Sequence, residues 1–364
     1  MSSLCRVLSG IISVTEGHTQ IMVIGAGLSG VIAARHLAEA GLSVKVLEKS
    51  RGCGGRMATR RFRTSPVGID SPMAMDHGAQ YFTARDPRFS QFLEPFIKKG
   101  IVKVWTDGFP VIENHGLVPV PEDKRYPRYV CPEGMNHLAK ILAAPLTIYL
   151  GTRATHLTFT DRVWAVQTDQ GTIHTADVVL SAIPAPQFLE LGQLVLAEAG
   201  QDSLVKILES VRFDPSIAVM AVYGSEAPVP DWKGLMFRED PLLSWVSLDS
   251  SKREASPSQQ IPLSLVVHST AEFARKHLDH KEQAGPILLQ QAAQYVGDWV
   301  TEPLECQVQG WRYALPTHFL DQFYLETNTP GPLYWAGDWC GGPRVEGAFL
   351  SGWAAGQAIL ERYV

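Results

Sequence analysis

Hydrophobic residues are spaced along the chain in two different ways, and each spacing predicts a different kind of element. Near the start, the β-branched run 21–24 predicts a buried parallel strand. A helical pattern then runs from Val31 to a stop at Gly41, and a second strand covers residues 43–47. This strand–helix–strand order predicts a parallel α/β unit at the beginning of the fold.

Two later segments have a different pattern and do not fit such a unit. Residues 86–128 are rich in Pro, Phe and charge, and we expect irregular backbone there. Residues 187–309 mix helical stretches with alternating strands. In that segment the pattern predicts strands at 216–224, 242–249 and 262–270 and an amphipathic helix at 281–299.

The expected fold class is therefore α/β, with a Rossmann-type dinucleotide-binding domain and an inserted α+β substrate domain made of a mixed sheet plus helices. The length of 364 residues is ample for two domains. The predicted division is an N-terminal extension at 1–19, a discontinuous dinucleotide-binding domain at 20–85, 129–186 and 310–364, and a substrate domain at 86–128 and 187–309.

The first strand is followed by glycines in the spacing G-x-G-x-x-G. Gly25 permits a tight turn, Gly27 lets a pyrophosphate approach the backbone, and Gly30 lets the helix pack closely on the strand. The helix N-terminus then offers free N–H groups to the phosphates. Glu48 ends the second strand, at the distance where an acid accepts hydrogen bonds from the adenosine ribose. Together these features predict a bound dinucleotide.

Charge and cysteine content narrow the class of protein. The net charge of -5 argues against nucleic-acid binding, and only the segment 51–63 is locally basic, either as a solvated loop or as a phosphate-binding edge. Five scattered cysteines without a C-x-x-C pair predict neither a disulfide framework nor a zinc site, which favours a reducing compartment. No apolar run approaches the roughly 18 residues of a membrane span. The expected location is cytoplasmic, without metal, membrane or nucleic-acid partners.

Two further motifs resemble those of the FAD-dependent amine oxidase superfamily. One is the Gly-Gly-Arg-Met element at 54–57, followed by MDHGAQYFTARD at 75–86. The other is a predicted strand at 333–336 with Asp338 after it and a helix over 346–362. The resemblance implies that Asp338 binds the ribityl chain and that this helix points its N-terminus at the flavin pyrimidine edge, where reduced flavin is anionic. The two distant glycine-rich stretches would then bind opposite ends of one FAD.

The FAD is expected to be noncovalent, because Cys340 lies at the ribityl-binding turn rather than over the ring. By resemblance, the backbone of Ala154 would face the adenine. The full set of expected cofactor-binding residues is Gly25, Gly27, Leu28, Ser29, Gly30, Glu48, Lys49, Gly55, Arg56, Met57, Gly78, Ala79, Gln80, Ala154, Gly337, Asp338, Gly347 and Ala348.

A closer resemblance, to the renalase family, rests on GGRMATRR, DHGAQYFT, WVSLDSSKRE, LVVHSTAEFARKHL and WRYALP, in that order. It covers most of residues 20–364. It implies oxidation of the 2- and 6-dihydro isomers of NAD(P) to NAD(P)+, with electrons passing to FAD and then to O2 to give H2O2. The resemblance implies that Gln80 approaches the flavin edge, that His268 and Arg312 orient the carboxamide or phosphates, and that Trp311 and Tyr313 wall the ring.

Two other functions stay open at the level of the sequence. An amine oxidase commonly holds a neutral amine between two aromatic side chains, and Trp335 and Trp339 lie close together in the chain. A flavin-binding redox sensor without turnover is the second alternative. In the predicted strand 262–270, His268 shares a face with Ser264 and Val266, so it faces either a cavity or solvent. The oligomeric state, the preferred isomer and the choice between NAD and NADP are not determined by the sequence.

Overall fold

The structure is a computed structural model that describes residues 14–15, 17–62, 73–254 and 261–363. The described strands are β1 (Val14–Thr15), β2 (Thr19–Ile24), β3 (Val44–Glu48), β4 (Thr59–Phe62), β5 (Met73–Asp76), β6 (Lys103–Thr106), β7 (Val111–Glu113), β8 (Gly116–Val118), β9 (Arg128–Val130), β10 (Thr147–Leu150), β11 (Ala154–Thr160), β12 (Val163–Thr168), β13 (Thr172–Ser181), β14 (Arg212–Val222), β15 (Gly234–Phe237), β16 (Leu243–Leu248), β17 (Ser264–Ser269), β18 (Glu305–His318), β19 (Leu325–Thr327) and β20 (Leu333–Trp335). The described α-helices are α1 (Leu28–Glu39), α2 (Pro87–Lys98), α3 (His137–Ala143), α4 (Ala185–Glu198), α5 (Asp202–Ser210), α6 (Ala271–His277), α7 (Lys281–Val296) and α8 (Arg344–Leu360).

The first sheet is the predicted dinucleotide-binding sheet. Its main order is β10-β3-β2-β13-β12-β11, and β20 pairs with β13. The strands β10, β3, β2, β13 and β20 are parallel to their neighbours in this part of the sheet, while β11 and β12 form an antiparallel hairpin against β13. The predicted strand–helix–strand unit is confirmed as β2, α1 and β3.

The first sheet is covered on both faces, which explains its nearly continuous apolar strands. One core cluster contains Ile21 and Val23 of β2 with residues of α1, α3 and α8; a second contains Met22 and Ile24 with residues of α4 and α5. Helices α1 and α8 cross at Gly352, where an added Cβ would lie 2.2 Å from the carbonyl oxygen of Ser29. That close contact joins the two ends of the chain in one layer.

The second sheet has the order β18-β14-β17-β16-β15-β7-β8. The strands predicted at 216–224, 242–249 and 262–270 are confirmed as β14, β16 and β17, and the predicted amphipathic helix is confirmed as α7. One face of the sheet packs on α6 and α7. On the other face, Met220, Val222 and Val266 pack against residues of the β4–β5 hairpin.

The expectation of irregular backbone over 86–128 is wrong: the segment begins with α2 and also contains the short strands β6, β7 and β8. Helix α2 begins after Asp86, whose carboxylate accepts the backbone N–H of Arg88 at 2.9 Å. Pro87 stands at the first helical position, where its missing N–H costs nothing. Phe89 and Leu93 join the core cluster of the first sheet, so tertiary packing overrides the local signal of the prolines.

Two expected domain boundaries fall within elements. Strand β18 pairs with β14 of the second sheet along its length and therefore crosses the division expected between 309 and 310. Within the expected extension, β1 pairs with Thr172 and Ile173 of β13, and β2 begins at Thr19. Residues 1–13 and 16 of that extension lie outside the described residues. Within the described part of the chain, no helix is both long enough and apolar enough to span a membrane.

Candidate functional site

A cavity of about 2170 Å³ lies between the two sheets. One side of the cavity is formed at the carboxyl ends of parallel strands, by Ile24 at the end of β2, Glu48 at the end of β3 and Ala182 just after β13. The carboxyl edge is where open α/β sheets bind their ligands. On the opposite side, His268 of β17 and Trp311 of β18 line it.

The glycine turn after β2 combines a packed position with an open one. Gly25 has a φ of +106°, which an L side chain rarely adopts. A Cβ on Gly30 would lie 2.1 Å from the carbonyl oxygen of Gly25, whereas a Cβ on Gly27 would meet nothing within 4 Å. Gly27 and the first α1 residues, Leu28 and Ser29, line the cavity. The open space at Gly27, in front of a helix N-terminus without a side-chain cap, fits a diphosphate.

Glu48 is held rigidly at the end of β3. Its two carboxylate oxygens accept the backbone N–H groups of Ala26 and Ser50, each at 2.7 Å. The side chain is buried yet lines the cavity. A carboxylate fixed in this way keeps further lone pairs for hydroxyl donors, as ribose binding requires.

The two distant glycine-rich stretches meet at Arg56 and Asp338. The Nη2 atom of Arg56 lies 2.5 Å from Oδ1 of Asp338, although 282 residues separate them. The Nη1 atom of Arg56 is buried without a partner among the described residues, so it has a donor to offer. Burial raises the pKa of Asp338, and Arg56 opposes that change. The residues at 54–57 and the loop after β20 therefore form one continuous wall of the cavity.

Most of the expected cofactor-binding residues line the cavity. Gly30, Gln80 and Gly347 do not line it. Gly30 and Gly347 are packed against backbone atoms, and a Cβ added to Gly347 would lie 2.0 Å from the carbonyl oxygen of Gly342. Those that do line it are Gly25, Gly27, Leu28, Ser29, Glu48, Lys49, Gly55, Arg56, Met57, Gly78, Ala79, Ala154, Gly337, Asp338 and Ala348.

His268 and Trp311 form part of the opposite wall. The indole N–H of Trp311 donates to the carbonyl oxygen of His77 at 2.8 Å, and the two rings stack with centroids 5.3 Å apart. The Nε2 atom of His268 lies 3.4 Å from the amide nitrogen of Gln80. Burial, with the positive charge of Lys252 and with His77, lowers the pKa of His268 to about 3. The imidazole in the cavity wall is thus neutral at physiological pH.

Gln80 lies behind the wall and is fixed by a buried network. Its amide oxygen accepts from Lys252 Nζ at 2.9 Å and from Ser247 Oγ at 2.8 Å, while its amide nitrogen donates to the backbone oxygen of Asp76. Because every polar atom of the amide has a partner, its orientation toward His268 is determined.

Lys252 belongs to a buried ion cluster that the sequence reasoning missed. Lys252 and Arg253 face Asp76 and Asp249, with N–O distances of 2.8–3.5 Å. Burial acts to raise the pKa of Asp76, but Arg253 and Lys252 hold it below the ordinary value. The short 3-10 turn at Asp249–Lys252, which follows β16, places Asp249, Lys252 and Arg253 at positions i, i+3 and i+4. The spacing of one acidic and two basic residues in SLDSSKRE was the available sequence signal for this cluster. It does not reveal that Asp76 of β5 is the other carboxylate.

Arg312 and Tyr313 also line the cavity, at its exposed side. The Nη2 atom of Arg312 forms an ion pair with Asp279 at 2.9 Å, and the two side chains are 62% and 80% exposed. Tyr313 packs edge-on against Phe213, with centroids 5.6 Å apart. Of the five expected pocket residues, four therefore line one cavity, and Gln80 contacts one of them from behind.

Trp335 and Trp339 do not form an aromatic pair around a ligand. Both are buried in the core cluster on the α4–α5 face of the first sheet, and neither lines the cavity. Trp335 packs edge-on against Phe188, and the indole N–H of Trp339 donates to the carbonyl oxygen of Ile183. Cys340 is buried in the same cluster.

A third wall, also missed by the sequence reasoning, combines aromatic rings with cations. Tyr81 and Phe109 pack together at 4.8 Å, and the guanidinium carbon of Arg128 lies 5.8 Å from the ring centre of Tyr81 and 3.3 Å from that of Tyr126. All four line the cavity. They come from three separate segments, so no local spacing indicated them.

Comparison with known proteins agrees with this geometry. The model of the family described as flavin containing amine oxidoreductase matches residues 114–360, and that of the NAD(P)-binding Rossmann-like domain matches residues 23–96. The chain belongs to the flavin-containing amine oxidoreductase family, and FAD is its cofactor. Within that superfamily it is renalase-like: it is 27% identical to renalase of Mus musculus over 311 residues, which is 82% of this chain and 86% of that protein.

Solved structures support the fold alone, because their identity to this chain is low. A putative protoporphyrinogen oxidase from Exiguobacterium sp. 255-15 has a TM-score of 0.69 and 16% identity, covering 94% of this chain and 99% of that one. Cyclohexylamine oxidase from Brevibacterium oxydans IH-35A has a TM-score of 0.67 and 14% identity, covering 95% and 99%. These structures show that the chain has the fold of this family, while its class as an FAD-dependent oxidoreductase rests on the family model.

Proposed function

We propose that the protein is an oxidase of misreduced dihydronicotinamide dinucleotides, the 2- and 6-dihydro isomers of NAD(P), which it returns to NAD(P)+. This substrate class is implied by the resemblance to renalase. The observation that carries the proposal is the charge of the cavity, because a dinucleotide substrate is an anion and a simple amine substrate is a cation.

The cavity is positive in a protein that is negative overall. Among the described residues, thirteen Lys and Arg but only seven Asp and Glu line it, whereas the whole chain has a net charge of -5. A cleft lined by one sign of charge concentrates ligands of the opposite sign. The volume of about 2170 Å³ also exceeds the roughly 300–1,000 Å³ of a typical small-molecule site, which leaves room for a second large ligand beside FAD.

The residues of the wall would orient the substrate. Bound FAD would supply a hydride acceptor for the dihydropyridine and a route for the two electrons to O2, which with one proton from solvent would give H2O2. Because the donor ring becomes aromatic when it loses hydride, no residue has to remove a proton. Trp311, held by its bond to the His77 carbonyl, offers a flat face, and neutral His268 offers a ring nitrogen to the carboxamide. Arg312 lies at the exposed side of the same cavity, where a charged part of the substrate would pass.

Stopped-flow mixing tests the proposal. We expect borohydride-isomerised NAD(P)H to bleach the flavin at 450 nm at least tenfold faster than 4-dihydro NADH or any amine in a panel that includes putrescine and cyclohexylamine, since about 1.4 kcal/mol of better placement gives that factor. H2O2 formation, followed with peroxidase, should match substrate consumption.

Two outcomes would contradict the proposal in different ways. Fast reduction by an amine with none by the isomers would make the protein an amine oxidase, although the burial of Trp335 and Trp339 removes the aromatic pair that the sequence offered for that function. Reduction by neither class would favour a redox sensor without turnover.

A further inference from the structure

Three arginines from separate elements line one part of the cavity. Arg85 follows the loop after β5, Arg128 begins β9 and Arg344 begins α8. The guanidinium carbons of Arg128 and Arg85 lie 3.3 Å and 4.3 Å from the ring centre of Tyr126. Arg344 lines the same cavity as Tyr81 and Tyr126, and its charge acts with that of Arg128 to lower the pKa of Tyr81, which burial raises. We call Arg85, Arg128 and Arg344 the arginine wall.

The arginine wall lacks carboxylate partners. Within residues 14–15, 17–62, 73–254 and 261–363, none of its guanidinium groups has a carboxylate oxygen within 4.0 Å. The nearby acids are engaged elsewhere: Glu346 accepts the backbone N–H groups of Arg85 and Asp86, and the carboxylate of Asp86 pairs with Arg88. Arg128 is buried; its guanidinium donates to the backbone oxygen of Tyr126 and makes a side-chain hydrogen bond with Tyr81, but it has no carboxylate partner among the described residues.

Such an arrangement is costly for Arg128, which is buried, and less so for Arg85 and Arg344, which are exposed to water. Neighbouring guanidinium groups repel one another, and stacking on Tyr126 offsets only part of that repulsion. Arg344 adds a backbone strain, since its φ is +92°. A group with two or more negative charges and several acceptor oxygens would accept hydrogen bonds from more than one guanidinium and remove the repulsion.

The diphosphate of FAD does not account for this wall. That diphosphate has a separate place, at the open Gly27 position before α1 and beside Arg56, which belong to other elements. The arginine wall shares its part of the cavity with Tyr81 and Phe109, whose rings offer apolar surface beside the charges.

We infer that the arginine wall is a second anion-binding site, which binds the diphosphate of the dinucleotide substrate and disfavours cationic amines. In naming the substrate, this inference rests on the proposed function. The inference adds residues that set specificity for the phosphates, whereas His268 and Trp311 would orient the reacting ring.

The experiment compares three donors with the same ring: the 6-dihydro isomers of nicotinamide riboside, mononucleotide and NAD. They carry no phosphate, one phosphate and a diphosphate. With the FAD-loaded parent, stopped-flow flavin reduction should give an apparent Kd at least tenfold lower for the dinucleotide than for the riboside. In Arg85→Gln/Arg344→Asn, that ratio should fall by at least tenfold; Asn is chosen at 344 because it tolerates a positive φ.

A matched control removes two positive charges elsewhere. Arg35→Gln/Lys276→Gln alters residues on α1 and α6 that pair with Glu39 and Glu272 and do not line the cavity. This control removes the same overall charge but leaves the cavity unchanged, so it should keep the preference for the dinucleotide. If it loses the preference equally, the effect is general electrostatics and the inference is overturned.

A second measurement does not depend on turnover. Inorganic diphosphate titrated into the FAD-loaded protein should bind to the parent and at least tenfold more weakly to Arg85→Gln/Arg344→Asn, by calorimetry. Equal binding to both proteins, or no binding to the parent, overturns the anion site.

If no donor reduces the flavin, the proposed function fails, and this titration alone decides whether the arginine wall binds an anion. If L-amino acids reduce the flavin in a way that depends on these arginines, the anion is a carboxylate and the diphosphate assignment is overturned.

Discussion

The two sides of the cavity are constructed differently. On the side of the first sheet, the position of the backbone decides what can bind: Gly27 leaves space, Gly30 permits contact, and Glu48 is held by two backbone N–H groups. On the side of the second sheet, side chains that are far apart in sequence decide it, as Lys252 bonds to Gln80 across 172 residues. On the first side, the space available for a Cβ decides which substitutions are tolerated. On the second side, the balance of buried charge decides it. These two limits predict different responses to substitution.

The largest expected effect concerns the buried charges. Asp249→Ala should lower the free energy of unfolding by about 3–5 kcal/mol, because Lys252 and Arg253 would share Asp76 as their only carboxylate in the cluster. Urea unfolding of the FAD-loaded protein measures this. Asp279→Ala removes an exposed partner of Arg312 and should cost less than about 1 kcal/mol. Equal losses for the two variants would show that the buried cluster does not stabilise the second side.

The glycine pair sharpens the comparison on the first side. Gly30→Ala forces its Cβ against the Gly25 carbonyl and should destabilise the apoprotein by about 1–3 kcal/mol or more. Gly27→Ala meets open space at an ordinary φ of −67°, so it should leave the melting temperature of the apoprotein unchanged. It should nevertheless weaken FAD binding about tenfold, since the methyl group would occupy the approach of the diphosphate.

Thermal melting of the apoprotein and FAD titration separate these two effects. If Gly27→Ala binds FAD as tightly as the parent, the diphosphate does not approach that position. If the apoprotein of Gly30→Ala has the same melting temperature as the parent, the turn relaxes to accommodate the Cβ and the close contact does not limit stability.

The neutral state of His268 predicts a pH dependence of stability. Its pKa of about 3 in the folded protein lies below the ordinary value of 6.5, so the unfolded chain binds a proton that the folded chain does not. The free energy of unfolding therefore falls as the pH decreases from about 6.5 toward 3. Between pH 6 and 5, His268→Asn should reduce that fall by about 1 kcal/mol.

Urea unfolding at the two pH values measures the difference, with the exposed His280→Asn as control. Three nearby groups must be considered. Lys252 and His77 both act to lower the pKa of His268, and His77 itself titrates at about 4 because of its burial and Arg60. If the pH slope of His268→Asn equals that of the parent, His268 is charged in the folded protein and cannot act as the neutral donor or acceptor proposed here.

The contrast also explains how much could be predicted from the sequence. The positions of Gly25, Gly27, Gly30 and Glu48 follow from spacing within one strand–helix–strand unit, and that unit is confirmed as β2, α1 and β3. Their role in binding FAD stays a prediction. Helix α2 was missed because Phe89 and Leu93 are fixed by tertiary packing. The arginine wall and the Asp76–Lys252 pair were missed because each brings together residues from distant segments. A periodic pattern within one segment cannot predict such contacts.

Arg312 gives the smallest expected effect on stability and the sharpest separation of stability from activity. Its ion pair with Asp279 is exposed, so Arg312→Ala should change the free energy of unfolding by less than about 1 kcal/mol. FAD content should be unchanged, because the residue lies outside the wall formed by residues 54–57 and Asp338.

If Arg312 contacts the substrate, flavin reduction by the dihydro isomers should slow at least tenfold. Asp279→Ala breaks the same ion pair but keeps the guanidinium in the cavity, so it should reduce the flavin nearly as fast as the parent. Equal slowing in both variants would assign the effect to the ion pair and remove Arg312 from the residues that bind substrate.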